Sequence, residues 1–303
     1  MGSEDSESSS TEKGESSLDI ETHSSADVFE TLGSETRIEI LEALGNPPGE
    51  KMSFTELYKA VEIDDSGNFA YHLNRVLGTF VLKEDEQYLL SHAGEQVVGS
   101  VQAGTYQAKA TVEPAAFGGT CQLCGGELIF EYTQERVRVY CDECGAGRSF
   151  PFPPGCLPDY DIEELPAVSA RWYRTHVKRV LDRFCPLCAG EMSGELIHGV
   201  NEDSDPPEPS LARFSCITCG KQVHLTGATI ATFHPVFEGF LFEHGFDTRC
   251  GPHSEVWAAL DDTTETTHTR DPLSIEVTFT HDGETVTGFV EEDASLTNVE
   301  RQW

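Results

Sequence analysis

Basic residues are scarce: 20 Lys and Arg stand against 53 Asp and Glu, giving a formal net charge of -33. A balance so far from zero speaks about environment and not about fold. At physiological salt it opposes nucleic acid over a Debye length of ~8 Å. Long apolar runs are also missing, and nothing approaches the ~18 consecutive apolar residues of a membrane span. The N-terminus is acidic and Ser-rich where a signal peptide would be basic and then apolar. No membrane partner is expected, and the expected compartment is the cytoplasm. Cysteine is absent before Cys121, and of the ten cysteines only Cys156 and Cys250 fall outside C-x-x-C pairs. In a cytoplasmic chain that spacing reads as metal ligation and not as a disulfide frame. Catalytic signatures are lacking too: there is no nucleophile elbow, phosphate-cradling loop or H-E-x-x-H. His234 and His244 flank an apolar run where a cap or dipole partner is the ordinary role. The chain is not expected to be an enzyme.

What is present falls into modules. Residues 1–26 are Ser- and Glu-rich with no periodicity and read as a disordered acidic tail. From Asp27, Val28, Phe29 and Leu32, then Ile38, Ile40, Leu41 and Leu44, recur at helical spacing either side of "GSETR", with Ser34 as the expected cap of the second helix. "MSFTELYKAV" opens on a Ser53-x-x-Glu56 capping box. "DSGNFAYHLNRV" follows, with Phe69, Leu73, Val76 and Leu77 on one face and Asn68, Tyr71, His72, Asn74 and Arg75 largely elsewhere. "TFVLKEDEQYLLS" reads as two strands around a charged turn and "SHAGEQVVGSVQAG" as a closing helix. Residues 27–104 thus have the plan of a winged helix-turn-helix DNA-binding domain, in which one helix enters the major groove and a hairpin wing lies beside it.

The runs "VFETLGSETRIEILEAL", "GNFAYHLNRV" and "YLLSHAGEQVV" resemble ArsR-type winged-helix regulators. The order of parts is similar to haloarchaeal ArsR-like regulators carrying zinc-binding segments behind the winged helix. The even spread of acids likewise resembles halophilic archaeal proteins, with solubility alone as the plainer alternative. The resemblance implies a homodimeric transcriptional regulator of double-stranded DNA. One departure is plain: metalloid-sensing members place Cys-x-Cys before the recognition helix, and "SFTELYKAV" has none. Asn68, Tyr71, His72, Asn74, Arg75 and Lys83 are the candidate DNA contacts; Asn with adenine and Arg with guanine are the geometrically favoured pairings. Lys83 stands against three acids in "KEDE". That favours a rival reading, an adaptor that does not bind DNA and docks a transcription-machinery protein through the ribbons.

Cys121, Cys124, Cys141 and Cys144 frame "LIFEY" and "VRVY", two hairpin strands, as a first four-cysteine zinc ribbon over 105–157. Cys185, Cys188, Cys216 and Cys219 form a second over 185–232, whose "NEDSDPPEPS" reads as a long hairpin tip. Four cysteine ligands leave no open position, so both read as structural Zn2+ sites, with rubredoxin-like iron sharing the geometry. Cys156 and Cys250 read as small buried hydrophobes.

Between the ribbons, residues 158–184 hold a basic amphipathic helix. Arg171, Arg174, Lys178, Arg179 and Arg183 accompany an apolar stripe of Val168, Trp172, Tyr173, Val177, Val180, Leu181 and Phe184. Its cations could meet phosphates, a neighbouring subunit, or the chain's own carboxylates. Residues 233–303 read as a small α/β unit: a helix from Pro235 to Gly245, then strands around "HDGE". The expected fold class is α+β multidomain: a winged helix-turn-helix, two four-cysteine zinc ribbons and this unit.

Overall fold

The computed structural model describes residues 22, 24–46, 49–121, 124–199, 210–248 and 262–302. The expected acidic tail lies almost wholly outside these residues, as do Cys250 and most of the second ribbon's tip. The described residues form a mixed α and β structure in two units that divide after Gln102.

The first unit runs α1 (Ser25–Leu32), α2 (Glu35–Gly45), β1 (Met52–Ser53), α3 (Phe54–Ala60), α4 (Ser66–Val76), β2 (Val81–Glu84), β3 (Gln87–Leu90) and α5 (His92–Gln102). The capping box forms in full: the Ser53 hydroxyl accepts from the Glu56 amide and Glu56 accepts from the Ser53 amide. At α4 the Asp65 carboxylate accepts from the amides of Gly67 and Asn68. The acidic start of this helix is therefore a cap that meets two otherwise unsatisfied donors. Ser34, expected to cap α2, makes no side-chain cap bond; its hydroxyl lies 3.4 Å from His72 Nδ1 instead. The core joins Ile40, Leu41, Leu44, Leu57, Phe69, Leu73 and Val76. Phe69 meets Phe54 and Tyr58 edge-on at 5.1 and 5.3 Å, which locks α4 against α3. The three strands order as β1-β3-β2.

The second unit opens with an antiparallel sheet β4 (Val112–Thr120), β5 (Glu127–Thr133), β6 (Arg136–Cys141) and β7 (Gly147–Pro151), in that order. The expected hairpin is its centre, β5–β6. Phe130, Tyr132, Val137, Phe150 and Phe152 form its core, and the Tyr132 hydroxyl donates to Phe152 O at 2.8 Å. After two 3-10 turns comes α6 (Leu165–Leu181). Its Trp172 donates to Pro151 O, and its Tyr173 packs both on this core and on the next.

That next core is the largest among the described residues. It takes in β8 (Met192–Ile197), β9 (Leu211–Cys216), β10 (Gln222–Leu225), α7 (Gly227–Ala231), α8 (Pro235–Glu243) and the meander β11 (Asp262–Arg270), β12 (Leu273–His281), β13 (Glu284–Val290), β14 (Leu296–Gln302). Phe214, Phe237, Phe240 and Phe279 are fully enclosed together with Cys185 and Cys216. The second ribbon and the C-terminal sheet thus share one interior. His234 caps α8, its Nδ1 accepting from Val236 N. Glu265 of β11 accepts from the amides of Gly227 and Ala228 at the start of α7, and burial pushes its carboxyl up. Cys156 is half-buried, its thiol 3.1 Å from Pro153 O.

Candidate metal centres and the exposed face of helix α4

Each cysteine pair sits in the same turn. The amide four residues after the first cysteine donates back to that cysteine's carbonyl: Gly125 to Cys121, Gly145 to Cys141, Ala189 to Cys185 and Gly220 to Cys216, at 2.8–3.1 Å. The first cysteine's own amide then donates one residue further on, to Gly126, Ala146, Gly190 and Lys221. This fold-back needs a left-handed residue at the turn. Gly125, Gly145 and Gly220 have φ of 79°, 72° and 71°, and Ala189 fills the same slot at 57°. Three knuckles use the residue that enters this region freely, and the fourth accepts strain.

The turns point sulfurs at one another. Cys121 Sγ lies 3.6 Å from Cys144 Sγ and Cys124 Sγ 3.4 Å from Cys141 Sγ; in the second cluster Cys185–Cys219 is 3.7 Å and Cys188–Cys216 3.5 Å. These are far longer than a disulfide bond of ~2.05 Å, and close to the ~3.8 Å edge of a tetrahedron with zinc–sulfur bonds of ~2.3 Å. In each cluster all four sulfurs lie within 4.8 Å of one another. Both donor sets therefore fit a thiophilic divalent ion such as zinc, held by protein ligands alone. In each cluster one thiol is readied for this. The amide of Cys144 draws Cys141 down to about 7, and that of Cys219 draws Cys216 to about 6. For Cys124 and Cys188 the amides of Gly126 and Gly190 favour the thiolate, but the neighbouring sulfurs outweigh them and push both up to about 12. A cation entering either cluster must displace those protons.

Of the residues expected to meet DNA, Asn68, Tyr71, Asn74 and Arg75 share the exposed side of α4. His72 is half-buried beside Ser34, and burial together with the nearby Arg37 charge lowers the pKa of its imidazole. Lys83 on β2 lies 2.9 Å from Glu86 and over the Tyr88 ring, so its charge is locally met. The neighbouring Lys51 is 2.7 Å from Glu84.

The basic helix is also largely engaged within its own unit. Arg174 bonds Glu238 at 2.7 Å, Lys178 bonds Asp182 at 2.6 Å, and Arg179 and Arg183 donate to the carbonyls of Cys185 and Asp293. Phe184, expected in the apolar stripe, lies beyond the helix end and is 57% exposed, because the chain reverses there to bridge Glu191.

Sequence comparison bears mainly on the second unit. The family described as Domain of unknown function (DUF7351) matches residues 118–296. The chain belongs to that family. Its match contains both cysteine clusters and ends within the C-terminal sheet. A second, Domain of unknown function (DUF7347), matches residues 25–101, the span of the first unit. No curated protein and no solved structure matches the chain. Among the described residues no helix is long and apolar enough to cross a membrane.

Proposed function

We propose that the chain is a DNA-binding transcriptional regulator. In this reading residues 27–104 act as a winged helix-turn-helix, α4 is the reading helix, β2–β3 is the wing, and the two four-cysteine clusters hold structural zinc. The observation that carries it is the division of α4 into two faces. Phe69, Leu73 and Val76 fix one face in the core, while Asn68, Tyr71, Asn74 and Arg75 are exposed on the other. A helix whose exposed row offers amide, phenol and guanidinium groups is equipped to bond base edges. Strong net negative charge is compatible with this only where salt shortens the Debye length, to ~3 Å at molar strength. Under that condition counterion release contributes little, and close base contacts must supply the affinity. His72 serves position more than contact.

A second reading has its own support. With Lys83 neutralised by Glu86, the hairpin has little to offer a phosphate. Leu187 and Ile217, at the tips of the second cluster's knuckles, are 73% and 69% exposed. An adaptor that docks a transcription protein through this ribbon would use both features. Genome-wide crosslinking of the tagged chain at native salt separates the two. Sharp peaks that share a motif and vanish in the Asn74→Ala/Arg75→Ala double variant are expected for the regulator. Peaks that persist in that variant and follow active promoters would replace it with the adaptor.

A further inference from the structure

Helix α8 and the β12–β13 turn bring a second kind of donor together. His244 closes α8, His281 ends β12, and Asp282 and Gly283 make the left-handed turn, with φ of 50° and 81°. One donor atom from each of His244, His281 and Asp282 lies within 4.8 Å of the others. His281 Nε2 is 3.8 Å from the Asp282 carboxylate. His244 Nε2 is enclosed with no hydrogen-bond partner among the described residues, and Glu284 Oε2 stands 3.5 Å away. Both imidazoles are held in place: Phe240 packs on His244 at 4.7 Å, Phe246 on His281 at 5.0 Å, and the two rings meet edge-on at 4.9 Å.

We propose that His244, His281 and Asp282 form a third metal site, which takes one divalent first-row transition ion of the zinc class. Imidazole nitrogens suit such ions, and a carboxylate completes a common donor set. Ligand atoms around zinc at bonds of ~2.0–2.2 Å lie ~3.3–3.6 Å apart. The site therefore needs a small contraction, which the turn carrying Asp282 can supply because its carboxylate is 80% exposed. Glu243 and Glu284 converge on the guanidinium of Arg301 at 2.7 and 2.8 Å, which holds Glu284 in place beside His244.

This site differs in kind from the cysteine clusters. Three protein ligands leave a position for water or an exogenous ligand, whereas four thiolates leave none. It also stands apart from the DNA-binding reading and holds or fails independently of it.

The test is a titration of the full chain with Co2+ after the cysteine clusters have been filled with two equivalents of Zn2+. One further equivalent is expected, giving visible ligand-field bands without thiolate-to-metal charge transfer. His244→Gln should abolish that equivalent and keep the two zinc ions. Asp282→Asn, which keeps a residue suited to the left-handed turn, should weaken it at least about tenfold, the scale of losses seen even for outer-shell partners. Saturation at two zinc ions with no Co2+ uptake would overturn the proposal, leaving His244 and Glu284 as an ordinary ion pair. Uptake unchanged in Asp282→Asn or in His244→Gln would equally overturn it.

Discussion

Cys121 and Cys141 pack with Leu128 in a small cluster of buried residues that meets the Phe130–Phe152 core through Phe117. Cys185 and Cys216 lie inside the largest core among the described residues, with Met192, Phe214 and residues of α8 and β12. The same backbone turn therefore does different work in two places. In the first ribbon a bound metal would supply most of what orders the knuckles, since little apolar surface is gathered around them. In the second the strands are already held from outside, and a metal would close an end that the core has positioned. The tips differ as well. The first cluster carries Asp142 and Glu143 between its later cysteines, where the second carries Ile217 and Thr218.

Removing metal gives the largest expected effect, because zinc binding to four-ligand peptides is worth roughly 10–16 kcal/mol at neutral pH. Cys121→Ser and Cys216→Ser should each lose one equivalent by elemental analysis. Hydrogen exchange should then separate them. In Cys121→Ser the amides of Gly125 and Gly145 lose protection while Tyr132 and Val137 keep theirs. In Cys216→Ser β8 and β9 stay protected. Equal loss of protection in the two ribbons would break the contrast. Next in size is Phe214→Ala, which empties the shared core and should cost about 3–5 kcal/mol in denaturant unfolding. A cost under about 1 kcal/mol would mean that the second ribbon is not anchored there. The smallest effect belongs to Ala189→Gly. Relieving a left-handed alanine gains about 1–2 kcal/mol, and the entropy of glycine offsets about 0.5–1 of it. The variant should be more stable by about 1 kcal/mol or less, with metal content unchanged. A clear destabilisation would show that Ala189 does not occupy the slot of Gly125, Gly145 and Gly220.

Local chemistry was legible in the sequence, and long-range partnership was not. The Ser53–Glu56 box, the β5–β6 hairpin and the sulfur clusters all follow from spacings within a few residues or from repeated motifs. The split of α4 into Phe69, Leu73 and Val76 against Asn68, Tyr71, Asn74 and Arg75 follows from helical period alone. Strand β11 escaped because "DTTETTHTR" has almost no apolar face: it is an edge strand that pairs with β12 through its backbone. Ser34 carried a reasonable capping signal, but its hydroxyl turns to His72 across 38 residues of chain. The meeting of His244 with His281 has no local signature either, since it depends on α8 lying over the end of β12. The pairing of Arg174 with the Glu238 carboxylate and of Arg183 with the Asp293 carbonyl was invisible for the same reason; a count of charges along a helix says nothing about which acceptors the fold returns to it.

Tyr173 belongs to two interiors at once, touching Phe150 on one side and joining the Val177–Phe214 core on the other. A side chain shared in this way couples the melting of its neighbours. Under heat, residues 103–302 should then pass through one calorimetric transition and not two, even though chelation opens the knuckles piecemeal. Helix α6 is in that sense a clutch: engaged through Leu165, Val168 and Trp172 with one core and Val177 and Val180 with the other, and through Tyr173 with both, it makes two small cysteine-bearing modules answer as a single thermodynamic body.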